Sequence, residues 1–198
     1  ETPIKAAFLN ILGLIEYSLD KSNLDKAIAN VPESCLLVID EAYYEFAHYE
    51  KAPDVLAALK LRKGPWIVTR TFSKAYALSG LRVGYAISSN KPLNHGLSKL
   101  RANFNTNRVA LAAAAAALSD AEHLESILSR TIEQRERLAN AALEMGFRVF
   151  PSSANFLTIA PPSSAAYLRD KLLEENILVQ ALPWPDKVGA LRITIGNE

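Results

Sequence analysis

The first half of the chain alternates short apolar runs with segments of helical periodicity, and this alternation limits the possible folds most strongly. We predict the following strands and helices: strands over residues 36–40, 66–71 and 83–88, and helices over residues 22–30 and 54–61. The run from Leu36 to Ile39 is apolar at every position, as expected when helices cover both faces of a sheet. The pattern therefore predicts βαβ units and an α/β fold with a mainly parallel sheet.

The second half of the chain has a different pattern. An alanine-rich stretch over residues 108–118 predicts a helix, and a longer helix begins near Asp120 and ends at Gly146. The remaining predictions are strands over residues 148–150, 156–159, 177–180 and 191–195, and a helix over residues 163–176. We expect three parts: a large α/β domain over residues 1–107, connecting helices over 108–145, and a small α+β domain over 146–198.

Composition excludes several classes of protein. The 22 basic and 21 acidic side chains leave a formal net charge of +1, so no strong field attracts nucleic acid or anionic lipid. No apolar stretch approaches the roughly 20 residues that span a bilayer, and residues 1–5 lack a signal-peptide layout. Cys35 is the single cysteine and is expected to be a buried apolar residue in a reducing cytoplasm. The three histidines are dispersed, so no metal site is expected.

Two strand ends carry polar residues that could form a site. Asp40 ends one predicted strand, and Lys74 follows the next. Ligands of open α/β sheets bind at the carboxyl ends of the strands, so these residues are expected to lie on the same side of the fold. The surrounding segments are residues 40–46 (DEAYYEF) and residues 69–85 (TRTFSKAYALSGLRVGY).

Both segments resemble the fold type I aminotransferases that depend on pyridoxal 5'-phosphate (PLP). The second is specific, because hydroxyl residues at positions 71 and 73 and an arginine at position 82 rarely coincide around a lysine by chance. The resemblance implies the PLP-dependent transferase fold. It also implies that Lys74 forms the Schiff base with PLP and carries the proton between the substrate Cα and the cofactor.

The resemblance assigns the other cofactor contacts residue by residue. Because PLP accepts electrons only while its pyridine nitrogen is protonated, a buried carboxylate is required beside that nitrogen, and Asp40 takes this role. Tyr43 is assigned to the phenolic oxygen of the ring. The residues assigned to the phosphate are Thr71, Ser73 and Arg82, which supply hydroxyl donors and a guanidinium.

Three further segments extend the resemblance toward the C-terminus. Residues 190–196 (ALRITIG) are similar to the strand whose arginine binds a substrate carboxylate, which makes Arg192 the predicted carboxylate ligand. Residues 101–107 (RANFNTN) and 152–157 (SSANFL) are similar to the histidinol-phosphate aminotransferase branch. Arg101, Asn103 and Asn107 are alternative candidates for binding a phosphate-bearing substrate, and spacing does not choose among them.

The resemblance covers the central and C-terminal portions of a family member. The Asn-Pro-x-Asn-Pro-Thr-Gly turn of that family is absent, and Asn10 stands at the corresponding place before an apolar segment. A chain without the first portion of the cofactor site is expected to bind PLP weakly.

The resemblance implies a homodimeric enzyme of histidine biosynthesis that transfers an amino group between L-histidinol phosphate and 2-oxoglutarate. The alternatives are an aromatic aminotransferase, a threonine-phosphate decarboxylase, a PLP-binding regulatory domain, or a fragment that retains the fold without activity. No helix-turn-helix or basic patch supports the regulatory domain.

Overall fold

The computed structural model describes residues 5–10 and 19–196. Its first sheet contains β1 (Ala6–Asn10), β2 (Leu36–Asp40), β3 (Trp66–Thr71) and β4 (Gly84–Ser88) in that spatial order. The pairs β1–β2 and β2–β3 are parallel, and β4 is antiparallel to β3. The register pairs Asn10 with Asp40 and Asp40 with Thr69, so three strands end at the same edge of the sheet.

The helices of the first half follow from local capping and from burial. They are α1 (Lys21–Ala29), α2 (Tyr44–Tyr49), α3 (Val55–Leu59) and α4 (Lys91–Leu100). The carboxylates of Asp20 and Asp54 accept backbone N–H groups of the first turn of α1 and α3. These two helices pack their apolar sides against Leu37 and Ile39 of β2, which are fully buried. This contact forms the core beneath the first sheet.

The prediction that helices cover both faces of β2 is wrong for the described residues. Leu37 and Ile39 are buried, whereas Leu36 and Val38 remain partly exposed. Helices α1 and α3 pack on one side of the sheet, so alternate residues of the strand differ in burial. Cys35 is partly exposed rather than buried, because it lies just before the strand.

The second half forms two helices and an antiparallel sheet. Helices α5 (Arg108–Ser119) and α6 (Ala121–Glu144) meet at Asp120, and Gly146 follows α6 with a φ of 80°. The second sheet has the spatial order β5 (Arg148–Phe150), β6 (Phe156–Ala160), β8 (Ala190–Thr194) and β7 (Gln180–Leu182), with α7 (Ala165–Glu174) packed against it. The predicted boundaries at residues 107 and 145 remain a prediction, since sheet topology alone does not define domains.

Several elements differ from the prediction, and β1 was not predicted. The strand expected over residues 177–180 is β7, which begins at Gln180, and Ile177 and Leu178 are exposed. Helices α2 and α4 were not predicted, because α2 is short and α4 contains Pro92 and Gly96. In α4 the proline lies in the first turn, where its missing N–H costs no hydrogen bond.

Candidate active site

Lys74 and Arg192 both lie close to Tyr43. Tyr43 precedes α2 and is 6% exposed. The Nζ atom of Lys74 lies 5.0 Å from the centroid of the Tyr43 ring, and Nη2 of Arg192 donates to the Tyr43 hydroxyl at 3.0 Å. The Arg192 guanidinium also lies 3.5 Å from the centroid of the Phe156 ring. Residues from three distant segments therefore converge on the Tyr43 ring.

Thr71, Ser73 and Arg82 line a cavity of about 690 Å³ beside β3 and β4. The hydroxyls of Thr71 and Ser73 are hydrogen bonded at 2.9 Å, and the Ser73 N–H donates to Thr71 Oγ1 at 3.1 Å. Arg82 has a left-handed backbone with a φ of 52°, and its Nη1 donates to the Ser79 carbonyl at 2.7 Å. Two hydroxyls and a guanidinium therefore line the cavity, and this donor set suits a phosphate group.

Asp40 lies at the carboxyl end of β2, as predicted, but it is exposed rather than buried. Its Oδ1 accepts from the Ala42 N–H at 3.1 Å and from the Thr69 hydroxyl at 3.3 Å. Thr69 also lines the cavity that contains Thr71. Asp40 is the last residue of β2, at the carboxyl end of an interior strand.

The predicted residues thus form two neighbouring groups. One is centred on Tyr43 and the other on the cavity, and Thr69 connects Asp40 to the second group. The segment of residues 11–18, where the missing Asn-Pro turn would lie, and the side chain of Asn10 are outside the described residues.

The predicted histidinol-phosphate segments have clear local roles. Arg101 lines the cavity and donates to Asn105 at 3.0 Å, whereas Asn107 caps α5 by accepting the Ala110 N–H at 2.8 Å. Ser152 donates to the Phe156 carbonyl at 2.6 Å and shapes the turn before β6. Of the three phosphate candidates Arg101, Asn103 and Asn107, Arg101 lines the cavity with Thr71 and Arg82, as do Asn105 and Thr106 of the same segment.

Sequence reasoning missed a buried ion pair next to Asp40. The side chains of Glu41 and Arg70 are 7% and 8% exposed, and Arg70 Nη2 lies 2.8 Å from Glu41 Oε2. Burial raises the pKa of the Glu41 carboxyl, and the Arg70 guanidinium offsets part of that rise. The positions of the two residues could have indicated the pair, because Glu41 follows β2 directly and Arg70 lies near the end of β3.

In the described part of the chain, no helix has the length and apolar character needed to cross a membrane. Within that same part, no three or more His, Cys, Asp or Glu side chains are grouped as metal ligands.

Residues 18–198 match the family profile of aminotransferase class I and II. The chain belongs to this family. This aminotransferase chain is 36% identical over 199 residues to histidinol-phosphate aminotransferase 1 of Mesorhizobium japonicum, an alignment that covers 100% of the chain and 54% of that enzyme. The chain spans about half the length of the curated relatives it matches.

Solved aminotransferase structures have the same fold as this chain. Histidinol-phosphate aminotransferase from Sinorhizobium meliloti, solved in complex with PLP, superposes with a TM-score of 0.86 at 28% identity, covering 98% of this chain and 53% of that one. The enzyme from Clostridium acetobutylicum gives a TM-score of 0.84 at 25% identity, with 96% and 59% covered. The predicted PLP-dependent transferase fold of type I is therefore confirmed.

Proposed function

We propose that this chain carries the PLP site of an aminotransferase that transfers an amino group between L-histidinol phosphate and 2-oxoglutarate. The observation that carries the proposal is the convergence of Lys74 and Arg192 on Tyr43. The family match and the histidinol-phosphate aminotransferases among the relatives support the choice of reaction.

The donor set around the cavity fits the phosphate of PLP. Thr71 and Ser73 would donate hydroxyl hydrogen bonds, and Arg82 would supply the positive charge. Asp40 would accept a hydrogen bond from the protonated pyridine nitrogen, and both of its hydrogen bonds within the described residues fall on Oδ1. Tyr43 would donate its hydroxyl to the ring oxygen.

When bound, PLP supplies an electron sink for the pair left behind at the substrate Cα. The Lys74 amine would take the proton from Cα and deliver it to C4′ of the cofactor. Arg192 would bind the carboxylate of the amino-acid or 2-oxo-acid partner, because a planar guanidinium matches a carboxylate with two N–H donors. Its contact with Tyr43 would hold the guanidinium beside the reacting groups.

Lys74 provides the first test. The purified protein mixed with PLP is expected to show the visible absorption of lysine-bound PLP, and borohydride should fix the cofactor on the peptide that contains Lys74. Lys74→Ala should abolish both signals, whereas the exposed Lys60→Ala control should keep them. Wild-type protein with neither signal would reject the proposed cofactor and would favour a fragment that keeps the fold alone.

Substrate comparison tests the reaction itself. Wild-type protein loaded with PLP is offered L-histidinol phosphate, phenylalanine and threonine phosphate in separate assays with 2-oxoglutarate. We expect glutamate formation with the first substrate. Turnover of phenylalanine alone would favour the aromatic aminotransferase, and release of CO₂ from threonine phosphate would favour the decarboxylase.

The remaining parts of the proposal concern the cellular compartment, the oligomeric state and the division into domains. We propose a homodimer in the cytoplasm, with the large domain, connecting helices and small domain divided as residues 1–107, 108–145 and 146–198. The single cysteine supports a reducing compartment. Light scattering of the purified protein measures the assembly, and a monomer at all concentrations would reject the dimer.

A further inference from the structure

Arg70 and Glu41 join the carboxyl ends of β2 and β3 through a buried ion pair. Oε2 of Glu41 accepts from Nε and Nη2 of Arg70 at 2.9 and 2.8 Å. The Arg70 guanidinium also lies 3.3 Å from the centroid of the Tyr44 ring, and Arg70 pairs with Tyr85 of β4 in the antiparallel register. Arg70 is therefore held by the end of β2, by α2 and by β4.

Each side of the ion pair continues directly into the proposed cofactor site. Glu41 follows Asp40, and its N–H donates to the Thr69 carbonyl at 2.9 Å. Arg70 precedes Thr71, whose hydroxyl meets Ser73 in the cavity. The ion pair is thus adjacent to the proposed ligand of the pyridine nitrogen on one strand and to the proposed phosphate ligands on the other.

The contact between β3 and β4 is also close at Arg70. A Cβ atom added to Gly84 would lie 2.7 Å from the Arg70 carbonyl oxygen, so only glycine fits without movement. Gly84 pairs with Thr71 in the antiparallel register. The backbone of β3 at the ion pair is therefore closely packed against β4.

We propose that Arg70 and Glu41 are positioning residues that set the distance between Asp40 and the phosphate ligands Thr71 and Ser73. The inference rests on the proposed function, because it takes Asp40 as the ligand of one end of a rigid cofactor and Thr71 and Ser73 as the ligands of the other end. A rigid ligand gains the binding energy of both ends only when the protein holds the residues that bind those ends at the matching distance.

A contribution to stability alone does not account for this geometry. Buried ion pairs contribute little net stability compared with apolar pairs of similar volume, because both charges lose their hydration. The arginine fork contacts one carboxylate through two N–H groups while stacking on an aromatic ring, and lysine provides a single point of charge. Arg70→Lys therefore keeps the charge and removes the two-point contact.

The test separates binding of the whole cofactor from binding of its phosphate end. Affinity for PLP is measured by fluorescence titration, and affinity for inorganic phosphate by its competition with PLP. In Arg70→Lys we expect the Kd for PLP to rise about tenfold, a typical effect of losing a residue that orients a ligand group. The affinity for inorganic phosphate should stay within about twofold of wild type, since Thr71, Ser73 and Arg82 are retained.

Arg62→Lys is the matched control. Arg62 is also buried, but it donates to the carbonyls of Val31, Pro32 and Cys35 at the opposite end of the same strands. This substitution is expected to lower Tm while leaving both affinities at their wild-type values. It therefore measures what the loss of a buried arginine does to stability alone.

A second variant covers the case in which Arg70→Lys fails to fold. Glu41→Gln combined with Arg70→Met removes both charges, so neither is left buried and unpaired. The folded double variant should show the same selective loss of PLP affinity. Unchanged PLP affinity in a folded variant, or an equal loss for PLP and phosphate, would overturn the inference.

Wild-type protein is measured in the same series. If it does not attach PLP through Lys74, the proposed function fails and the inference fails with it. If wild type binds PLP and the Arg70 variants bind it equally well, only the inference fails.

Discussion

Glu45 is a buried carboxyl in the first turn of α2 with an unusual environment. It is 6% exposed, and its Oε2 has no hydrogen-bond partner in the described structure. Burial raises the pKa of Glu45 to about 7, an effect that the helix backbone and Arg70 partly oppose and that Glu41 adds to. The folded protein therefore holds a proton on Glu45 at pH values where the unfolded chain has lost it.

Glu45→Gln should remove this dependence on pH. As pH rises from about 4.5 to about 7, the unfolded wild type releases the proton before the folded state does, so the free energy of unfolding falls. The glutamine variant should lack this loss and be more stable than wild type at pH 8, by at most on the order of 3 kcal/mol. Urea unfolding at pH 4.5 and pH 8 measures both differences. An identical pH slope in the two proteins would reject the raised pKa.

At the level of elements, local sequence explains most boundaries. Asp120 ends α5 and caps α6, because its Oδ1 accepts the His123 N–H at 3.1 Å. The sequence predicted this break from the aspartate that follows the alanine run. The predicted strands of the first sheet agree with the structure to within one residue, because their apolar runs have clear ends.

Asp120→Ala should destabilise the junction between α5 and α6. The substitution leaves the His123 N–H without its acceptor, which typically costs about 1 kcal/mol. Chemical unfolding monitored by circular dichroism measures this loss. Asp120→Ser, which can still cap the helix, should retain most of the wild-type stability, and an equal loss in both variants would argue against capping.

The sequence pattern could not predict contacts between residues that are far apart in the chain. Lys74 and Asp40 were predicted as site residues from their motifs, but the hydrogen bond between Tyr43 and Arg192 joins residues 149 positions apart. The Glu41–Arg70 pair was missed for the same reason, since each residue alone resembles a solvated surface charge. Ile177 and Leu178 were assigned to a strand because they are apolar, whereas pairing with β8 begins only at Gln180.

Arg135 connects several parts of the whole molecule. It lies on α6 and is buried, its Nη1 donates to the Ala154 carbonyl at 2.9 Å, and its Nη2 pairs with Glu50 just after α2. One side chain thus links the long helix, the first half of the chain and the turn before β6. Its loss should affect stability more than the loss of a surface ion pair.

Arg135→Leu should lower the free energy of unfolding by about 3 kcal/mol, because it leaves a carboxylate and a buried carbonyl without their donor. Urea unfolding gives the value. Arg169→Leu, which breaks an exposed pair with Asp170, is the control and should change stability by less than about 1 kcal/mol. Equal effects of the two substitutions would show that Arg135 does not connect the parts as described.

The hydrogen bond between Tyr43 and Arg192 also limits how this chain can be recombined with its relatives. A crossover after Gly146 takes the tyrosine from one parent and the arginine from the other. The tyrosine and the arginine must then match each other in size and in the direction from which they approach, with Phe156 packed against the guanidinium. Chimeras made at this point should retain the proposed binding of PLP only when both parents contribute compatible partners, because the core cluster that contains Tyr43, Phe46 and Phe156 also spans the crossover.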